Sequence, residues 1–125
     1  MNGPALILIV EDNEANRLLA GAVLEREGYR VEMAGNAQEA LDMLAIGSPD
    51  LILMDVQMPG MDGLTLTRRL KSNTRTADIP VVALTALAMT GDRELTLEAG
   101  CSGYISKPIN TRTFAAEVAR FLSSV

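Results

Sequence analysis

The stretch Ala5-Leu-Ile-Leu-Ile-Val10 is an apolar run of strand length, and two acids, Glu11 and Asp12, follow it directly. A continuous run is typical of a strand covered on both faces, as in a parallel sheet. Similar runs lie further along the chain at Leu51-Ile-Leu-Met54, Pro80-Val-Val-Ala-Leu84 and Gly103-Tyr-Ile105. The segment Tyr29-Arg-Val-Glu-Met-Ala34 alternates instead, which predicts a strand exposed on one face.

Segments with helical spacing separate these runs. Their apolar stripes are, in chain order, Leu18, Leu19, Ala22 and Val23; Ala37, Ala40, Leu41 and Leu44; Leu64, Leu66 and Leu70; Leu95 and Ala99; and Phe114, Val118, Phe121 and Leu122. Asn36 and Glu39 are spaced like a capping box. Regular alternation of strand and helix predicts an α/β fold with a parallel sheet and helices on both faces. We expect residues 1–125 to form a single domain, with a core from about residue 5 to 122 and no second, output domain.

Composition narrows the chemistry. The chain has no His, which excludes a Ser–His–Asp triad and a zinc site with His ligands. Its 11 basic and 16 acidic residues give a net charge of −5, which argues against direct nucleic-acid binding. Cys101 is the only cysteine and is expected to be a small buried residue in a reducing compartment. No apolar run is long enough for a membrane span, so we predict a cytoplasmic protein.

Polar residues follow four of the five predicted strands. Glu11 and Asp12 follow strand 1, Asp55 follows strand 3, Thr85 follows strand 4 and Lys107 follows strand 5. In the flavodoxin-like strand order 2-1-3-4-5 these four strands are neighbours, and ligands bind beyond their carboxyl ends. Strand 2, the edge strand, is followed only by glycine. The pattern therefore favours this (βα)5 order and predicts one site.

Three carboxylates at one point repel each other unless a cation relieves them. Oxygen ligands suit Mg²⁺, which proteins usually hold through one or two carboxylates together with a phosphate. Lys107 adds a fixed positive charge. The predicted site is therefore suited to an incoming phosphate-like dianion beside an acid.

Four motifs in this order resemble the CheY-like receiver domains of response regulators. They are Val10-Glu-Asp-Asn13, Leu53-Met-Asp-Val-Gln-Met-Pro-Gly-Met-Asp-Gly63, Ala83-Leu-Thr-Ala86 and Tyr104-Ile-Ser-Lys-Pro108. The resemblance runs from about Leu6 to Leu122. Within the family the motifs are similar to those of DivK-like single-domain regulators and of the receivers of hybrid histidine kinases.

The resemblance implies a role for each matching residue. Asp55 would be the phospho-acceptor, with Thr85 and Lys107 binding phosphoryl oxygens. Mg²⁺ would be held by Asp55, Asp12, Glu11 (mainly through a metal-bound water) and the backbone carbonyl of Gln57. Thr85 and Tyr104 would form the switch, and the Lys107–Pro108 peptide bond would be cis.

The resemblance also implies partners. A sensor histidine kinase or a histidine phosphotransfer protein would donate the phosphoryl group, or a small acyl phosphate would do so. A downstream protein would read the face formed by helix 4, strand 5 and helix 5. The chain would be a signalling protein rather than a conventional enzyme, limited to self-phosphorylation and slow autodephosphorylation.

Three other functions are weighed against this one. Aspartate-nucleophile phosphatases carry the motif Asp-x-Asp after a strand, whereas Asp55-Val-Gln57 lacks the second Asp. A flavodoxin-type electron carrier would need a hydroxyl-rich phosphate loop after strand 1, where acids stand here. A phosphorylation-independent adaptor stays open as the main alternative. Asp62-Gly63 is interpreted as a turn and helix cap without chemistry.

Overall fold

The chain alternates between strand and helix throughout. The computed structural model describes residues 3–86 and 92–123. The strands are β1 (Leu6–Val10), β2 (Arg30–Ala34), β3 (Leu51–Asp55), β4 (Val81–Thr85) and β5 (Gly103–Ser106). The helices are α1 (Glu14–Arg26), α2 (Ala37–Ile46), α3 (Gly63–Lys71), α4 (Asp92–Ala99) and α5 (Phe114–Ser123).

The five strands form one parallel sheet in the order β2-β1-β3-β4-β5, so the predicted flavodoxin-like topology is confirmed. Every residue of β3 and β4 is buried, as expected for central strands covered on both faces. The edge strand β2 alternates between exposed and less exposed residues, as its sequence predicts. The carboxyl ends of β1, β3, β4 and β5 therefore lie side by side.

Two apolar clusters fill the space between the sheet and the helices. Ile7 and Ile9 of β1 belong to the cluster that contains buried residues of α1 and α5. Leu8 and Val10 belong to the other, which contains buried residues of α2 and α3. Cys101 is buried in this second cluster as a free thiol, as predicted.

The predicted buried face of α1 is wrong at three of its four residues. Leu18 and Leu19 are 54% and 41% exposed, and Ala22 is exposed as well. Val23 is buried as predicted, and the other buried residues of α1 are Ala20, Gly21 and Leu24. A Cβ built on Gly21 would lie 3.2 Å from Cε of Met33 on β2. The small residues Ala20 and Gly21 thus let the helix approach the sheet closely, and this close packing decides which side is buried.

Asp55 and Thr85 are the last residues of β3 and β4, whereas the sequence places them just after these strands. The hydrogen bonds between the strands continue beyond both residues. The amide of Val56 donates to the carbonyl of Leu84 at 3.1 Å, and the amide of Lys107 donates to the carbonyl of Thr85 at 2.9 Å. The backbones that carry these side chains are therefore held by sheet hydrogen bonds.

Side-chain caps begin the first three helices. The caps Asn13, Asn36 and Asp62 accept hydrogen bonds from the amides of Asn16, Glu39 and Thr65. The capping box predicted for α2 is half present, because Glu39 Oε1 accepts from the amide of Gly35 at 2.7 Å and not from that of Asn36. Over residues 3–86 and 92–123, none of the helices has the length and apolar character that crossing a bilayer requires.

Candidate functional site

An acidic cluster lies at the carboxyl edge of the sheet. Strands β1 and β3 are paired with Val10 opposite Met54, which brings Glu11, Asp12 and Asp55 together. One carboxylate oxygen from each of the three lies within 4.8 Å of the others. Glu11 and Asp55 are only 2% and 1% exposed, whereas Asp12 is exposed. The site therefore has two buried acids and one acid that faces solvent.

Lys107 connects the two buried acids. Its Nζ lies 2.9 Å from Oδ1 of Asp55 and 3.0 Å from Oε2 of Glu11. The peptide bond between Lys107 and Pro108 is cis, as the family resemblance implies. The ammonium group thus offsets part of the negative charge that the buried carboxylates bring together.

The two oxygens of Asp55 have different environments. Oδ1 accepts hydrogen bonds from Lys107 Nζ at 2.9 Å and from the backbone amide of Gln57 at 3.1 Å. Oδ2 is buried, and the described residues provide it with no hydrogen-bond partner. One oxygen is anchored and the other has lost water without gaining a donor, which is unfavourable unless something else binds it.

Charge and burial shift the pKa values of this pair. Burial, with smaller contributions from Asp12 and Glu11, raises the pKa of Asp55 to about 7 against the lowering effect of Lys107. Burial alone would lower the pKa of Lys107, but its hydrogen bonds to Asp55 and Glu11 outweigh that effect and raise it. The ammonium therefore stays charged, and Lys107 does not fully offset the effect of burial on the Asp55 carboxylate.

The donor set fits a hard divalent cation. The cluster offers only oxygen ligands, and a buried Asp55 oxygen lacks a partner. Mg²⁺ prefers such ligands and keeps several of its waters, which the exposed side of Asp12 permits. Gln57, whose carbonyl is the fourth predicted ligand, is exposed in the loop after β3, and its amide contacts the Asp55 carboxylate.

Thr85 and Tyr104 lie on adjacent strands. Thr85 is buried at the end of β4, opposite Ser106 in the register, and Tyr104 lies opposite Ala83 on β5. Tyr104 is partly buried and lines a surface cavity of about 430 Å³ together with Glu117, Arg120 and Phe121 of α5. The sheet thus connects the buried end of β4 to an open surface beside α5.

Gly63 supports the site, although the sequence indicates only a turn and helix cap at this position. A Cβ on Gly63 would overlap the backbone carbonyl of Asp55, and the Gly63 amide donates to the carbonyl of Val56 at 3.0 Å. Only glycine lets α3 begin this close to the strand that carries Asp55. The signal in the sequence is ambiguous, because Asp-Gly is also an ordinary turn dipeptide.

Comparison with known proteins agrees with this geometry. Residues 7–119 match the family described as the response regulator receiver domain. The chain belongs to this family. The receiver is 44% identical to the polar-differentiation response regulator DivK of Brucella anthropi, over 95% of this chain and 97% of that one.

Solved structures of receivers are similar as well. The receiver domain of a signal transduction histidine kinase from Syntrophus aciditrophicus has a TM-score of 0.87 at 40% identity, covering 97% of this chain and 92% of that one. The receiver domain of a sensor histidine kinase from Pseudomonas aeruginosa has a TM-score of 0.87 at 34% identity, covering 97% and 99%. That structure is described with a magnesium ion coordinated in its active site cleft.

Membership of the family defines the general function. Receiver domains are signalling components of two-component systems, and they interact with histidine kinases and downstream proteins. The chain is therefore a two-component signalling protein, similar to DivK, and not a conventional enzyme.

Proposed function

We propose that Asp55 accepts a phosphoryl group from a phospho-histidine of a sensor kinase or phosphotransfer protein. The observation that carries the proposal is the asymmetry of its carboxylate. Lys107 and the amide of Gln57 fix Oδ1, while Oδ2 is buried without a hydrogen-bond partner among the described residues. Such an arrangement orients the carboxylate and leaves one oxygen able to form a new bond.

The transfer needs a histidine from outside, because the chain contains none. A carboxylate oxygen of Asp55 attacks phosphorus, a new O–P bond forms, and the N–P bond to the partner's imidazole breaks. The imidazole leaves with the electron pair of that bond and takes a proton. The result is an aspartyl phosphate on this chain and an unmodified histidine on the partner.

The surrounding residues would stabilise the phosphoryl group by charge. Lys107 would bind one phosphoryl oxygen, and the hydroxyl of Thr85 would bind another. Glu11, Asp12, Asp55 and the carbonyl of Gln57 would hold Mg²⁺, which supplies positive charge for the carboxylates and the phosphoryl oxygens. These assignments rest on the cluster of carboxylates and on the match to the family's motifs.

The signal is proposed to leave through the face formed by α4, β5 and α5. When Thr85 turns toward the phosphoryl group, Tyr104 gains space to turn inward, and the cavity that Tyr104 shares with α5 changes shape. A downstream protein would bind one of the two forms of this face. The receiver would work in the cytoplasm as a single domain of about residues 5–122.

Intact-mass measurement after incubation with acetyl phosphate and Mg²⁺ tests the proposal. The wild type should gain one phosphoryl group and Asp55→Asn none. Asp42→Asn is a matched control, since Asp42 is an exposed acid on α2, and it should behave like the wild type. Modification of Asp55→Asn to the same extent as the wild type would contradict the assignment. Absence of modification in both proteins would favour a phosphorylation-independent adaptor.

A further inference from the structure

Arg17 holds the segment that carries two of the three acids. Its Nη1 donates a hydrogen bond to the carbonyl oxygen of Glu11 at 2.9 Å, and its side chain is only 20% exposed. Its backbone amide donates to the carbonyl of Asn13, also at 2.9 Å. The turn between β1 and α1 is therefore held by both the main chain and the side chain of one residue.

The hydrogen bond to Glu11 has consequences for Asp12. The carbonyl of Glu11 and the amide of Asp12 belong to the same planar peptide group, so fixing one orients the other. On the other side of Glu11, its amide donates to the carbonyl of Ala34 at 3.0 Å. Both peptide groups that flank Glu11 are thus held, and the direction in which the exposed Asp12 leaves the strand follows from them.

Gly35 provides the space for the guanidinium. A Cβ on Gly35 would lie 3.1 Å from Nη1 of Arg17, tighter than an ordinary contact. Gly35 is not among the glycines with a positive φ, so the backbone conformation does not require glycine here. The end of β2, which contributes no reactive group, therefore contributes room for Arg17.

The position of Arg17 is not explained by helix stability. A cation near the N-terminus of a helix is disfavoured by the helix dipole. The nearest ion pair, to Glu14, is at 4.0 Å and its carboxylate is exposed, so it contributes little. The short bond to Glu11 is the contact that accounts for an arginine at this place.

We propose that Arg17 is a positioning residue for the Mg²⁺ site, acting on Glu11 and Asp12 through the peptide group between them. The inference rests on the proposed function, because it assigns Mg²⁺ to these acids. Arg17 does not touch the phosphoryl group. Its removal should therefore lower the Mg²⁺ affinity, with little change in the melting temperature of the metal-free protein.

The test measures Mg²⁺ affinity by calorimetry in wild type, Arg17→Met, Arg17→Lys and Gly35→Ala. Arg17→Met should bind Mg²⁺ about tenfold more weakly, the effect typical of losing a residue that orients metal ligands. Arg17→Lys should recover part of the affinity, because it keeps a donor. Gly35→Ala should weaken binding in the same direction but less, because it displaces the guanidinium without removing it.

Arg26→Met is the matched control, since it removes an exposed arginine from the last turn of the same helix. It should bind Mg²⁺ like the wild type. The melting temperature in EDTA separates a positioning role from a merely structural one. If Arg17 were merely structural, Arg17→Met would lower the melting temperature and leave the Mg²⁺ affinity of the folded protein unchanged. An Arg17→Met affinity equal to that of Arg26→Met overturns the inference.

Failure of the proposed function gives a different result. A wild type that binds no Mg²⁺ contradicts the metal site itself. The NMR shifts of the Glu11 carbonyl and the Asp12 amide in metal-free protein then decide about Arg17. Shifts that change in Arg17→Met but not in Arg26→Met would support the role of Arg17 in holding the turn between β1 and α1. Shifts that match the wild type in both variants would overturn that role.

Discussion

The Nζ atom of Lys107 lies 2.9 Å from Oδ1 of Asp55, although the two residues are 52 positions apart in the sequence. The same ammonium group lies 3.0 Å from the Glu11 carboxylate. One cation therefore serves two buried acids that come from different strands. Stability and chemistry are linked at this point, because removal of the cation leaves both acids without their strongest partner.

Lys107→Met is expected to lower the free energy of unfolding in metal-free buffer by about 1–3 kcal/mol, because it removes the cation that pairs with two buried carboxylates. Urea unfolding followed by circular dichroism measures this. Arg26→Met, which removes an exposed cation, should change the value by less than about 0.5 kcal/mol. Equal stability of the two variants would show that the Lys107 contacts contribute nothing to the fold.

Asp12→Ala should abolish the stabilisation by Mg²⁺, because Asp12 is one of the proposed ligands. The metal-free protein should stay folded, because Asp12 is exposed and its charge repels the two buried acids. At a Mg²⁺ concentration ten times the Kd, the wild type should gain about 1.4 kcal/mol. Thermal melts with Mg²⁺ and with EDTA measure the difference, and Asp42→Ala serves as the control. The same Mg²⁺-dependent shift in Asp12→Ala and wild type would argue against the metal site.

Gly63→Ala is expected to cost at least about 1–3 kcal/mol of unfolding free energy, because the added Cβ meets the carbonyl of Asp55 and Cγ of Met54. Gly47→Ala is the matched control. Gly47 has an extended backbone with φ of −160°, and the nearest atom to its built Cβ is 3.9 Å away. Urea unfolding of both variants compares a crowded glycine with an uncrowded one, and equal costs would contradict the close approach of α3 to β3.

The Cys101 thiol should react slowly with Ellman's reagent in the folded protein. It is 5% exposed, and burial raises its pKa, so little thiolate is present at neutral pH. The rate should increase as the pH rises toward this pKa, and one thiol per chain should react at once in urea. Rapid labelling of the native protein at pH 7 would mean that Cys101 is accessible.

Much of the fold could be predicted because the strands carry strong signals. The continuous run before Glu11 and the alternation of β2 distinguish central from edge strands, and the positions of Asp55 and Lys107 then favour one strand order. The face of α1 could not be predicted in the same way. That helix is apolar on more than one side, and the choice between Leu19 and Ala20 depends on how closely the helix approaches β2.

The charged residues that the structure brings together were visible in the sequence, whereas the residues that support them were not. Asp55 and Lys107 stand at strand ends, where polar residues are conspicuous after apolar runs. Arg17 contacts the site through the backbone carbonyl of Glu11, and Gly35 leaves room for the Arg17 side chain. Neither contact produces a recognisable pattern of residue types in the sequence. A cation in the early part of a helix that begins after a cap was the one available signal for Arg17.

The most direct test of the central claim is to locate the phosphoryl group. The receiver is incubated with acetyl phosphate and Mg²⁺ and treated with borohydride, which reduces an aspartyl phosphate to homoserine, and its peptides are mapped by mass spectrometry. We expect homoserine at position 55 and unmodified aspartate at positions 12 and 62. Homoserine at another position, or aspartate unchanged at position 55 in phosphorylated protein, would contradict it.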